Sequence, residues 1–357
     1  MRELINHLSD PVFSFSIVIA LYLFIFTKPK IVGTKKFAYI CVLIGIPVFI
    51  WFCLDSNFFS IISIPDNLPI LILIGLVLFF TWFSIYKGNI NDERIEKGEP
   101  PIEGTPEMRE KVWCWPNLVY TELFTIIAGT VFLICWGILF KAPLEEPANP
   151  TWAPNPAKAP WYFLGLQEML VYFDPWMAGV VLPGLIIVGL ISIPFIDFNP
   201  KGNGYYTFKE RKFAITAFSM GWLVLWVFLI IIGTFLRGPN WTFYGPFEFW
   251  DVHKVVAQNN INLSEIFWIK ALHTSMPTNI LLREFLGIIV TFLYFALPIP
   301  IIAKFVGKDV RLKMGNIRYY LTIFLLLGMM SLPVKMYLRW FLNLKYIIAM
   351  PEFELNL

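Results

Sequence analysis

The chain alternates apolar runs of about 20 residues with polar stretches, and about 20 apolar residues is the length a helix needs to cross a bilayer. The runs fall at 11–27, 37–54, 68–86, 118–140, 177–196, 213–236, 284–303 and 317–338. Pro47, Pro183, Pro298 and Pro333 lie inside them. Membrane helices accept such prolines because neighbouring helices and side chains satisfy the freed backbone groups. The polar stretches alternate in charge. Lys28, Lys30, Lys35 and Lys36 follow the first run, and Lys87, Arg94, Lys97, Arg109 and Lys111 the third. Lys201, Lys209, Arg211 and Lys212 follow the fifth, and Lys304, Lys308, Arg311, Lys313 and Arg318 the seventh. These four loops hold most of the 28 Lys and Arg residues, so the positive-inside rule places them in the cytoplasm. The loops 141–176 and 237–283 and both termini then fall on the opposite, p side. The pattern predicts an all-α, polytopic membrane helical bundle of about eight transmembrane helices with both termini on the p side. It belongs in the cytoplasmic (inner) membrane, crossing it many times.

Composition narrows the function classes. Of 357 residues 57% are hydrophobic and 15% charged, against roughly 25% charged in soluble domains. Mean hydropathy is +0.66. A net charge of +3 gives no basic surface for nucleic acid, and none is expected as a partner. Cys41, Cys53, Cys114 and Cys135 form no CxxC pair, which argues against a disulfide framework and a CxxCH haem-attachment motif. Residues 1–10 lack a basic region, so no cleavable signal is expected. The only histidines are His7, His253 and His273, all in predicted outside segments. Mid-helix pairs for a bis-histidine b haem are missing. The expectation is therefore no metal site and no haem ligated by this chain.

The stretch 87–117, containing NDERIEKGEPPIEGTPEMREK, reads as a solvated cytoplasmic linker that divides three helices from five. Glu122 reads as an interfacial acid. Lys335 and Arg339 stand four residues apart on one helix face. They either snorkel to the interface or meet an anionic group of a partner or cofactor. The segment APWYFLGLQEML, Ala159 to Leu170, is too polar to span and too apolar for an ordinary loop. Trp161 and Tyr162 suit the membrane interface, each being an apolar ring with a polar tip. Glu168 is an acid in a half-buried apolar setting, a candidate for proton handling.

The stretch 117–237 resembles the C-terminal domain of cytochrome b, a separate subunit IV-like chain in split bc- and b6f-type complexes. LEEPANP is similar to that family's turn after its first helix, and APWYFLGLQEML to its Pro-Glu-Trp-Tyr signature. PWMAGVVLPGLIIVGLISIPFID and RKFAITAFSMGWLVLWVFLIIIGTF resemble the next two helices. One departure is plain: the family's signature acid aligns with Pro160, and its preceding proline with Ala159.

The resemblance implies an organisation. Residues 1–86 form a three-helix N-terminal extension and 87–117 the linker. Residues 118–237 form the cytochrome b C-terminal (subunit IV-like) domain. A p-side loop follows at 238–283, then two C-terminal helices and a tail at 284–357. It implies a membrane subunit of a quinol:cytochrome c oxidoreductase, not catalytic alone, which couples electron transfer to proton release. Pro160, Trp161, Tyr162, Leu164 and Tyr172 would bind quinol (menaquinol or ubiquinol); Glu168 is the first candidate to replace the missing acid, with Tyr162 or a group on a partner chain as the others, unless the complex has lost that step. The b haems would sit on a haem-bearing cytochrome b N-terminal-type partner. A Rieske iron–sulfur protein, a c-type cytochrome and a dimeric complex complete the expected partners. Two other classes stand beside this reading. One is a structural anchor without a quinone site; the other is a transporter or channel, which would show internal repeats and mid-membrane charge.

Overall fold

A computed structural model describes residues 1–108, 111–140, 144, 146–199, 204–306 and 308–357. Arg109, Lys201 and Glu145 of the LEEPANP turn lie outside the described residues. Among those described, seven helices are long and apolar enough to cross a membrane: Lys35–Cys53 (α3), Leu68–Glu96 (α4), Cys114–Leu139 (α5), Met177–Ile196 (α6), Lys212–Leu236 (α7), Phe285–Lys304 (α8) and Asn316–Leu342 (α9). Pro11–Thr27 (α2) falls just short of that length by itself; joined at a 77° bend to a short leading helix, Arg2–Leu8 (α1), it makes an eighth span if the bent pair is taken as one. The chain is thus a mostly helical, multi-pass membrane protein, as its apolar pattern predicts.

The helices start and stop where the local chemistry dictates. Asp10 caps α2, its Oδ1 accepting from Val12 N at 3.1 Å, with Pro11 fixing the first turn. Thr34 caps α3 through its Oγ1, which accepts from Phe37 N at 3.2 Å. Asn343 ends α9 in a left-handed conformation, φ 52°. Helix α4 outruns its apolar stretch by some ten residues, and its polar end is engaged. Asp92 accepts from Thr207 Oγ1 at 2.5 Å and from the backbone N–H of Phe208 and Lys209. Asn91 donates to Glu103 Oε2 and Tyr206 O and accepts from Ile102 N. The first part of 87–117 is therefore the last turns of α4, clasped to the loop after α6, where a solvated linker was expected. Periodicity could not reveal it, because Asn91 and Asp92 read as ordinary polar residues until their partners at 206–209, over 100 residues away, are known.

The core lies between α2, α6, α7, α9 and the segment around residues 169–173. Phe15 of α2 is fully buried, its ring 5.4 Å from Phe228 and 5.7 Å from both Tyr337 and Trp340. Tyr172, Ile232, Val224 and Met336 complete its centre. In contrast, α3 and α5 bury none of their residues. Two exposed apolar helices are normal where lipid or a partner helix is the solvent.

Both termini gather at one end of the bundle with the two long loops. Phe247 N donates to Asn6 Oδ1 at 2.9 Å, and Arg2 pairs with Asp55 at 3.0 Å. A Cβ at Gly245 would lie 2.5 Å from Asn6, so only glycine admits this contact. The C-terminal tail folds back as a small hairpin. There Asn356 Nδ2 donates to Asp174 Oδ2 at 2.9 Å, and Arg283 makes a two-pronged pair with Glu352. The Asn91–Asp92 clasp and the contact of Asn89 with Pro29 mark the opposite, lysine-bearing end.

Candidate functional site

The segment 155–174 folds back on itself and onto α7. Gln167 pins its start: its Oε1 accepts from Ala159 N at 2.9 Å and its Nε2 donates to Ala157 O at 2.8 Å. Pro160 then sets an extended backbone before a single turn, Trp161–Phe163, which runs into the short helix Leu164–Met169. That helix crosses α7 closely. A Cβ on Gly233 would sit 3.3 Å from Leu164 O, tighter than most real contacts.

The crossing encloses one ion pair. Glu168 is fully buried, and Arg237, the residue just past α7, is 7% exposed. Arg237 Nε donates to Glu168 Oε2 at 2.9 Å and Nη2 to Oε1 at 2.5 Å. The third arm, Nη1, donates to Trp241 O at 3.0 Å. A bidentate fork of this kind is the strongest pairing a carboxylate finds in a protein. It also occupies both oxygens that a proton would use.

Lys158 lies beside this pair. Its Nζ donates to Thr234 O at 2.7 Å and stands 4.9 Å from the Trp250 ring centroid. Burial pushes its amine down to about 8, with Glu168 raising it and Arg237 lowering it by less. A base whose folded pKa is depressed disfavours folding while protonated. That cost is full below about pH 8 and fades as pH climbs toward 10.5, the free-chain value. The expected result is that the thermal midpoint of the wild-type chain rises relative to Lys158→Met between pH 8 and 10. A constant difference across that range would show that burial of the charge is not what Lys158 contributes.

The six residues singled out in sequence separate into two groups. Trp161 and Tyr162 are exposed, at 37% and 48%, with their rings edge to face 5.7 Å apart, and Pro160 is exposed beside them. Leu164, Glu168 and Tyr172 face inward and are buried. Burial raises the Tyr172 phenol well above its ordinary range. The segment therefore has an outer aromatic edge and an inner charged clamp, and these do not share one cavity wall. The sequence reading missed Arg237 and Lys158. The available signal was position: Arg237 closes an apolar span, and Lys158 directly precedes the APWYF stretch.

Below the clamp, residues 237–244 form a tight loop that carries the rest of the site. Asn240 is held in a left-handed conformation, φ 59°. It exchanges two hydrogen bonds with Asn155, at 2.6 and 2.9 Å. Tyr244 is fully buried, its hydroxyl donating to Asp251 O. His7, His253 and His273 are exposed and lie on three separate stretches, the leading helix and two distant parts of the long loop. Among the described residues, no group of three or more His, Cys, Asp or Glu side chains could hold a metal ion.

Residues 147–248 match the family described as cytochrome b (C-terminal)/b6/petD, somewhat under a third of the chain. The matched stretch runs from the end of the LEEPANP turn through Glu168 and Arg237 to the Tyr244 loop. The chain is also 34% identical over 95 residues to the menaquinol:cytochrome c reductase cytochrome c subunit of Geobacillus thermodenitrificans. That likeness covers 24% of this chain and 37% of the relative, little more than a third of the relative's length. No solved structure matches the chain.

Proposed function

We propose that this chain is a membrane subunit of a bc-type quinol:cytochrome c oxidoreductase, supplying one wall of a quinol-oxidation pocket at the p side. The observation that carries the reading is the overlap of the family match with one clamped unit. Within 147–248, the Glu168–Arg237 pair holds segment 155–174 against α7, and Pro160, Trp161 and Tyr162 are left free at its outer edge. The lysine-rich end would face the cytoplasm. Quinol, menaquinol or ubiquinol, would lie between that aromatic edge and a partner chain. The two b haems would belong to that partner, a cytochrome b N-terminal-type subunit seated on an unburied helix such as α5. A Rieske iron–sulfur protein would take one electron, a c-type cytochrome would follow it near loop 237–283, and the whole would be dimeric. Oxidation of quinol releases two protons, which would leave on the p side.

Within this pocket Trp161 and Tyr162 stack or pack against the quinone ring, while Leu164 and Tyr172 support them from the core. Glu168 acts chiefly by position. A proton could reach it only if the Arg237 fork opened, so in this reading it is the clamp that fixes the aromatic edge. A second reading keeps the fold without the chemistry. Pro160 stands where the resemblance to cytochrome b implies an acid, and the acid that follows it, Glu168, is already paired, as expected of a structural anchor in the same complex. Purification of the tagged chain in mild detergent tests both. The first reading expects a b-type haem spectrum on a co-purifying polypeptide, a Rieske iron–sulfur signal and quinol:cytochrome c activity. Recovery of the chain without any haem-bearing partner, from membranes active in that reaction, would remove it from the complex.

A further inference from the structure

A cluster of cations beyond the Glu168 clamp is not accounted for by the electron-transfer reading. Lys335 and Arg339 lie one turn apart near the end of α9, and Lys345 follows in the tail. The side chain of Lys335 is 1% exposed, and its Nζ has no hydrogen-bond partner. It is surrounded by rings, 5.7 Å from the Phe173 centroid and 5.9 Å from that of Tyr346. Lys345 Nζ stands 5.4 Å from the same Tyr346 ring. Arg339, 8% exposed, donates only to neutral oxygens: Asn343 O, Asn259 O, Asn260 Oδ1 and Gln258 Oε1.

Among the described residues, none of the three forms an ion pair. Asp174 lies close enough to affect Lys345, but its oxygens accept from Trp176 N and Asn356 Nδ2. Glu168 is committed to Arg237. Burial first, and the field of Arg339 second, push the Lys345 amine below its ordinary value. Buried cations are normally paired, because an uncompensated charge in a low-dielectric setting is costly. Two buried cations and a half-buried third, none paired with a carboxylate, leave a counter-charge missing, and cation–π contacts replace only part of it. Their location adds to the anomaly, since charge patterning assigns this end to the side where cations are scarce.

Lys345 opens onto a groove of about 470 Å³ between segments 155–171 and 240–258. Its walls include the carboxamides of Asn155, Gln167, Asn240 and Gln258, together with Trp241. Gln258 links the groove to Arg339 behind it, at 3.4 Å. The groove is adjacent to the last turns of α9, where Tyr337, Trp340 and Phe341 mark the depth of an aromatic belt. Headgroup phosphates lie at that depth.

We propose that this groove is a binding site for a phosphate group, contacted by Lys345 and attracted by the field of Arg339 and Lys335. A phosphate suits it better than a single carboxylate. It offers several negative oxygens to one opening backed by three cations, and acceptors to the amide N–H groups of the walls. The group could come from an anionic phospholipid headgroup or from free phosphate.

The test uses the full chain, with whatever partners co-purify, in a non-ionic detergent. Dioctanoyl-phosphatidylglycerol is titrated by phosphorus NMR, with inorganic phosphate and dioctanoylglycerol as competitors. Saturable broadening of the lipid phosphorus signal is expected. Lys345→Met should weaken it at least tenfold and Lys345→Glu should abolish it, at unchanged thermal midpoints. Competition by inorganic phosphate at similar concentration identifies free phosphate as the source, and weak competition identifies the lipid. Affinity unchanged in both Lys345 variants, or displacement by dioctanoylglycerol as effective as by phosphate, would overturn the proposal.

Discussion

Replacing Arg237 with Gln will destabilise the chain by about 3–5 kcal/mol, the usual loss when one partner of a buried ion pair is removed. The size follows from what is left behind. Glu168 is fully buried, and both of its oxygens are bonded to the guanidinium that the substitution removes. Trp241 O loses its donor as well. Lys158 is the remaining cation whose field reaches Glu168, and its own amine is committed to Thr234 O. Glu168→Gln will be damaging for the converse reason, leaving Arg237 buried without its counter-ion. The double variant Glu168→Gln/Arg237→Gln should recover most of either single loss, because two neutral amides can still hydrogen-bond across the crossing. Thermal midpoints of the purified protein decide it. Singles and double equally unstable would mean that the pair does not act as a unit. The same variants separate positioning from proton transfer. If Glu168 is a clamp, Glu168→Gln lowers the amount of assembled complex while the pH profile of its remaining turnover keeps its shape. If Glu168 takes the quinol proton, assembly holds and the profile loses a limb.

The legible and illegible parts of the molecule differ in a physical way. Spans are set by the hydrocarbon thickness, a local constraint that a single stretch of sequence meets by itself. Hence the run at 37–54 becomes Lys35–Cys53 and that at 284–303 becomes Phe285–Lys304. Glu168 stood out for the same reason, as a local violation: an acid among apolar neighbours. Its partner was not visible, because a salt bridge is a contact between residues 69 positions apart. Any cation at the same end of the bundle would have served as well on paper. The clasp at Asp92 and the sharp bend between α1 and α2 were missed likewise, being settled by partners at Thr207 and Phe247. The inward turn of Leu164 and Tyr172 is also a packing outcome. A six-residue helix has too few positions for periodicity to say which face is covered, and the Gly233 notch in α7 decides it.

That division yields the second large expected effect. In the assembled complex, Trp161→Ala and Tyr162→Ala should each raise the KM for quinol by about three- to tenfold, the worth of one aromatic contact. Turnover at saturation should change little, since an exposed ring that packs equally on quinol and transition state contributes uniform binding. Leu164→Ala and Tyr172→Ala should behave oppositely. Both side chains are buried, at 3% and 0% exposure, so their loss opens cavities costing about 2–5 kcal/mol. They should therefore reduce the amount of folded, assembled protein and leave the KM of what remains near the wild-type value. The Trp161 and Tyr162 rings are in edge-to-face contact, so Trp161→Ala/Tyr162→Ala should exceed neither single effect by their full product. Steady-state kinetics, normalised to the b-haem content of each preparation, make the comparison. Unchanged KM in both exposed-ring variants would place quinol elsewhere and leave the aromatic edge as part of the interfacial belt. A rise in KM for the two buried variants alone would instead move the quinol wall to the inner face of the segment, against the Glu168 clamp.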